Sequence, residues 1–167
     1  MLTHLLVLGL LAGPTSGSGT DTGAVIATPD RTASMAVIQS AASRPSNIPL
    51  GAVTWSQPYD PGDHAPYAIN FTDLLDEGET IASIDAIKVP SSAVLLGISV
   101  DTAAGYGPII DIAGKKIQLW FLVDQTAWES ASFTGAGVQL PITVRVNTGS
   151  TPPKRYERTA VLTVRQL

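Results

Sequence analysis

Three observations predict an all-β fold for this chain, an antiparallel sandwich of about seven strands. Short apolar runs alternating with period two recur through its last two thirds, the pattern of strands with one buried face. Gly, Pro, Asp and Asn interrupt these runs at every break, where the chain has to reverse. No long stretch spaces its apolar residues three and four apart, so a helix would have no stripe to bury.

The first 50 residues read as an N-terminal arm with linkers, and 51–167 as the sandwich. Met1 to Gly13 is apolar and too short to span a bilayer. It has two readings. As a secretory signal it has an apolar stretch followed by small residues but no Lys or Arg ahead of it. As an arm it offers Leu5, Leu6, Leu8 and Leu10 to a protein surface, and this is the preferred reading. Pro14 to Gly23, rich in Gly, Ser and Thr, is a linker by composition. Ala24 to Thr28 and Ser34 to Ser40 flank the turn Pro29-Asp30-Arg31 and predict a hairpin, with an alanine-favoured helix from Thr32 to Ala42 as the rival. Ser43 to Pro49 is a second linker.

The sandwich opens with a strand over Gly51–Ser56. Tyr67, Ile69 and Phe71 then share one face of a strand, with Ala68, Asn70 and Thr72 on the other. Leu74 and Leu75 tuck under its end. Asp76-Glu77-Gly78-Glu79 reverses the chain into Thr80–Val89, where Ile81, Ile87 and Val89 share a parity. Pro90 stops that strand. Val94, Leu96, Ile98 and Val100 are expected to alternate inward, followed by a loop over 101–107 and a short apolar piece at Ile109–Ile112. Ile117, Leu119, Phe121 and Val123 form the next inward face, then Leu140, Ile142, Val144 and Val146, and last Ala160, Leu162 and Val164.

Tyr67 to Leu75 (YAINFTDLL), Gly78 to Ser83 (GETIAS) and a strand ending in Val89-Pro90 resemble a small immunoglobulin-like domain found in virion proteins of tailed bacteriophages. The runs Ile117–Phe121, Leu140–Thr148 and Arg155–Arg165 extend the resemblance to Tyr59–Leu167. Members of that family usually place a Gly-Gly-x-x-Gly hairpin after the Trp-containing strand, where this chain has the longer Asp124–Gly137. The resemblance implies an immunoglobulin-like sandwich and a structural, non-enzymatic role in head decoration or in tail and fibre. Its partners would be the major capsid protein or other virion subunits, in a homo-oligomer within a virion assembled in the host cytoplasm. No internal repeat or heptad suggests a fibre shaft, so a decoration or cement role is the expectation. The alternative is an exported, secreted or periplasmic, immunoglobulin-like binding module.

Composition narrows the chemistry. A net charge of −4 and a pI near 4.9 argue against a nucleic-acid groove, and no membrane span is expected. Charged residues make up 14% and the mean hydropathy is +0.22, so some apolar surface is expected to face other protein. The absence of cysteine removes thiol chemistry and disulfides. Asp60, Asp63 and His64 lie close enough in sequence to share a cation, yet supply too few ligands for calcium or zinc and read as a solvated turn. With only His4 and His64 in the chain, a Ser-His-acid triad would have to recruit His64, and no Gly-x-Ser-x-Gly elbow precedes a helix. Asp73, Asp76, Glu77 and Glu79 read as solvated turn charges rather than an acid–base pair. Gly105-Tyr106-Gly107-Pro108 precedes no helix that would cradle a phosphate. No catalytic residue, metal ligand or cofactor is therefore expected. Asn70-Phe71-Thr72 matches a glycosylation sequon by chance. Trp55 and Trp120 can serve core or contact; Trp128 is the tryptophan expected at an interface.

Overall fold

A computed structural model describes residues 21–36, 48–49 and 51–167. Among the described residues, ten strands build two sheets packed as a sandwich. The first sheet has the order β1 (Thr22–Gly23), β7 (Ile109–Asp111), β8 (Lys116–Val123), β4 (Pro66–Asn70), β2 (Thr32–Ser34), with β6 (Ile98–Val100) pairing the far end of β8. The second has the order β3 (Val53–Thr54), β10 (Arg155–Val164), β9 (Val138–Thr148), β5 (Ile81–Lys88). Consecutive strands β4 and β5 lie in opposite sheets, as do β8 and β9, while β4 pairs β8 and β5 pairs β9. This interlocking ties the two sheets into one sandwich.

The predicted inward faces of the long strands hold. Ile117, Leu119, Phe121 and Val123 on β8, Leu140, Ile142, Val144 and Val146 on β9, and Ala160, Leu162 and Val164 on β10 are all buried. Between the sheets Trp55, Tyr67 and Phe121 stack edge-on at 5.6–5.9 Å, beside Tyr59. Their polar ends are satisfied: the Trp55 indole N–H donates to the Ala68 carbonyl at 2.7 Å and the Tyr67 hydroxyl to that of Pro58 at 3.0 Å. Burial raises the Tyr67 hydroxyl to about 12 and moves Tyr59 in the same direction, so both stay neutral donors.

Elsewhere the structure departs from the sequence reading. Neither hairpin nor helix forms over the described part of 24–42. A 3-10 turn at Pro29–Arg31 leads into β2, which runs parallel to β4 and buries Ala33 and Met35 in the core. Residues assigned to the arm thus belong to the sandwich. β1 and β3 also enter parallel to their neighbours, a relation that side-chain alternation does not encode. On β5 the buried residues are Ile81, Ile84 and Ile87, three apart, because two register shifts against β9 each reset the alternation. Val89 is only partly buried. Where inward alternation over Val94–Val100 was predicted, Pro90 starts a one-turn helix, α1 (Ser91–Leu95), that buries Ala93 and turns Val94 outward. Pro141, in the middle of β9, costs no bond toward β5, which pairs only with Thr143–Thr148.

Candidate interaction surface

Asp60, Asp63 and His64, read from the sequence as a solvated turn, take separate partners once the chain folds. Asp60 accepts from the backbone N–H of Gly62 and of Leu167, Asp63 faces Arg31 at 3.8 Å, and His64 Nε2 meets Asp101 Oδ2 at 3.0 Å. Tyr59, just ahead of these residues, is fully buried, with its hydroxyl donating to the Phe121 carbonyl at 2.7 Å. Among the described residues no three His, Asp or Glu side chains converge to hold a metal ion.

The acidic turn is not uniformly solvated either. Asp76 and Glu77 are exposed, but Glu79 is buried beneath the β9–β10 hairpin. Its Oε2 accepts from the Asp76 N–H at 3.1 Å and the Tyr156 hydroxyl at 3.3 Å, and its Oε1 lies 3.3 Å from Lys154 Nζ. Lys154 also pairs with Asp76. Burial alone would raise this carboxyl. The Asp76 N–H, the Thr148 and Ser150 hydroxyls and the Lys154 ammonium outweigh it and lower Glu79 to about 2. A shallow cleft of about 390 Å³ lies here, lined by this turn and by Gly149, Ser150 and Lys154. With the carboxylate locked in its ionised form and tied to one ammonium, it pins two turns together and has no proton to exchange near neutrality.

Gln118, to which sequence reasoning gave no role, and Trp120 hold the outer face of the first sheet. Gln118 is buried, and its side-chain oxygen accepts from the N–H groups of Ile26 and Ala27 at 2.8 and 3.1 Å. It straps the entering chain over the sheet. Trp120, on the same face, stacks with His64 at 5.0 Å and Tyr106 at 5.1 Å. Tyr106 comes from the 101–108 loop, which Asp101 fixes by accepting the Ala103 N–H at 2.8 Å. Trp120 therefore packs between elements. Trp55 is core.

Trp128 is different. It sits where β8 leaves the sheet, with its indole N–H donating to the Val123 carbonyl at 2.9 Å and its own carbonyl accepting from Gln166 at 3.2 Å. Its orientation is fixed, yet it remains 36% exposed. The same end of the sandwich carries α1. The Asp124 N–H donates to the Gly97 carbonyl at 2.9 Å, and Gly97, at φ +74°, approaches Asp124 so closely that a Cβ would lie 2.9 Å from it. Val94 and Leu95 on α1 are 50% and 87% exposed, and Leu122, near the end of β8, is 38% exposed. A rigid aromatic with aliphatic neighbours, held by backbone bonds and left wet, is the composition of a protein-contact surface. Leu5, Leu6, Leu8 and Leu10, the other predicted contact residues, lie outside the described residues.

Around the β-sandwich the remaining outer face is charged: Arg145 joins Glu157 at 2.7 Å and Asp85 at 3.3 Å, and Lys88 joins Glu157 at 3.0 Å. Such exposed pairs keep a face soluble and add little stability. Among the described residues no helix is long and apolar enough to cross a membrane. No family model, curated protein or solved structure matches this chain.

Proposed function

We propose that this chain is a non-enzymatic assembly protein of a tailed-bacteriophage particle, of the head-decoration type, that works by protein–protein contact. One observation carries the contact part of the reading: the fixed, exposed Trp128 and the apolar α1 share one end of the sandwich, apart from the charged outer face of the second sheet. The resemblance of Tyr59–Leu167 to phage immunoglobulin-like domains supplies the particle. Its partners are the major capsid protein or other virion subunits, and linked copies around a symmetry axis would add avidity to individually modest contacts. Mass analysis of purified particles tests the reading: the chain is expected as a stoichiometric component of heads separated from tails. Recovery only with tails moves the role there, and absence from particles rejects it.

An exported immunoglobulin-like binding module is the second reading, favoured by the apolar stretch and small residues of Met1–Gly13. Intact mass of the native protein separates the two. Loss of the first segment supports export, and its retention supports the particle.

A further inference from the structure

In its antiparallel ladder with β9, unbroken from Arg155 to Val164, every second residue of β10 points its N–H and C=O away from β9. The far half of the strand fixes which ones. On the side away from β9 the carbonyls of Val161 and Thr163 accept from the N–H groups of Trp55 and Tyr59 at 3.2 and 2.8 Å. Arg155, Glu157 and Thr159 have the same parity, so their backbone groups point out along that side too. β3 reaches only Ala160 and Val161. Just ahead of β3 the Ala52 N–H closes a turn on the Pro49 carbonyl at 3.2 Å, and Ile48 and Ala52 pack with Val161 on the outer face of the sheet, off the edge. Among the described residues no strand pairs with the outer side of Arg155–Thr159. The Glu157 carbonyl meets the exposed guanidinium of Arg158 there, at 2.9 Å. β5, the opposite edge of this sheet, is guarded by two register shifts and by the charges of Asp85 and Lys88, whereas the β10 edge is regular.

We propose that a second copy of this chain pairs with that edge: Arg155–Thr159 of two subunits run antiparallel about a two-fold axis at Tyr156, joining their four-stranded sheets into one of eight strands. Outward-pointing residues bond to outward-pointing residues, so odd positions meet odd ones. The axis at Tyr156 sets Arg155 against Glu157 of the copy, and Glu157 against Arg155 of the copy, two pairs of opposite charge. An axis at Glu157 would set that carboxylate against itself. Arg155 is exposed, and its Nε donates to the amide oxygen of Asn147 at 3.1 Å rather than to a carboxylate. Lys154, which the same register sets toward Arg158 of the copy, already has Asp76 and Glu79 for its charge. The axis also centres the open stretch on itself. Its ladder ends on one side at Pro153, which has no N–H to give, and on the other at Ala160, where β3 begins. Such an isologous contact closes on itself and yields a dimer. It stands on the geometry of the edge and holds under either reading of function.

Sedimentation of the purified full chain, from about 10 μM to about 1 mM, is expected to show monomer passing to dimer. Arg155→Glu sets like charges opposite each other twice and is expected to weaken the dimer by about tenfold or more, as is Glu157→Arg. Mixed in equal amounts, these two variants regain both opposite-charge pairs in the same register and are expected to pair with each other. Both positions are exposed, and a melting temperature near that of the natural chain establishes that each variant folds. A second measurement needs no variant: amide exchange at Arg155, Glu157 and Thr159 of the natural chain is expected to slow as its concentration rises. A chain that stays monomeric, a dimer that Arg155→Glu leaves intact, a mixture that does not pair, or slowed exchange that misses these three amides overturns the proposal. The assembly reading is tested on particles, so either idea can fail while the other stands.

Discussion

Glu79 is the residue whose chemistry the sequence concealed most fully, because a carboxylate in an Asp-Glu-Gly-Glu turn carries no sign of what will fold over it. Its pKa in the folded state, about 2, lies below the ordinary carboxylate value of 4.5. The unfolded chain therefore takes up the proton first on acidification. The stabilisation is complete above about pH 4.5 and fades as the pH falls toward 2. Glu79→Gln is expected to lower stability at pH 7 by on the order of 2 kcal/mol, less than the whole shift implies because Lys154 is partly in water. Near pH 2 the variant and the natural chain are expected to unfold alike. Denaturant titrations at the two pH values check this, and an equal loss at both means the side chain matters by shape alone. For Phe71, fully buried between the sheets, truncation to alanine is expected to cost about 3–5 kcal/mol. Asn70→Ala is expected to cost far less, since Asn70 Oδ1 bonds only locally, to Thr72. Similar losses in the two variants would refute the assigned strand parity.

Legibility varies sharply between elements. β8, β9 and β10 were readable because long antiparallel strands with one buried face write their parity into the sequence, as Ile117 to Val123 does. β5 was half readable: its bulges turn a spacing of two into a spacing of three and hid Ile84. β1, β2 and β3 have two or three residues each, too few for any period, and their parallel pairing depends on partners far along the chain. α1 was missed because one helical turn containing Val94 and Leu95 has the composition of a strand. The glycines of the Asp124–Gly137 loop allow a test at this scale. Gly137 has φ +68° and a Cβ there would fall 2.1 Å from the Val164 carbonyl oxygen, whereas Gly135, at φ +63°, has open space around it. Gly135→Ala is expected to cost about 1–2 kcal/mol of backbone strain alone. Gly137→Ala is expected to cost clearly more, because the β9 entry has to move away from β10. Melting curves of the two variants check the order, and equal losses would show that the contact yields. Gln118→Ala is expected to release the strap over Ile26–Ala27 and speed limited proteolysis near those residues, with little change in the melting of the sandwich.

For the whole molecule, the sandwich was legible in composition and period, and Trp128, the tryptophan expected at an interface, is 36% exposed whereas Trp55 is buried in the core. The reason it stands out is spatial: only the fold brings α1 and the end of β8 together through the Gly97–Asp124 contact. On the proposed function, this end fastens the subunit to a phage head. Heads gain stability against internal pressure when such a subunit bridges their surface units. The most direct measurement is heat-triggered DNA release, followed with a nucleic-acid dye, from particles made with and without this protein. Particles lacking it are expected to keep their tails and to release DNA at a lower temperature, with Trp128→Ala particles intermediate. Release at an unchanged temperature, or particles that lose tails or adsorption while their heads resist heat normally, would contradict the head-decoration account.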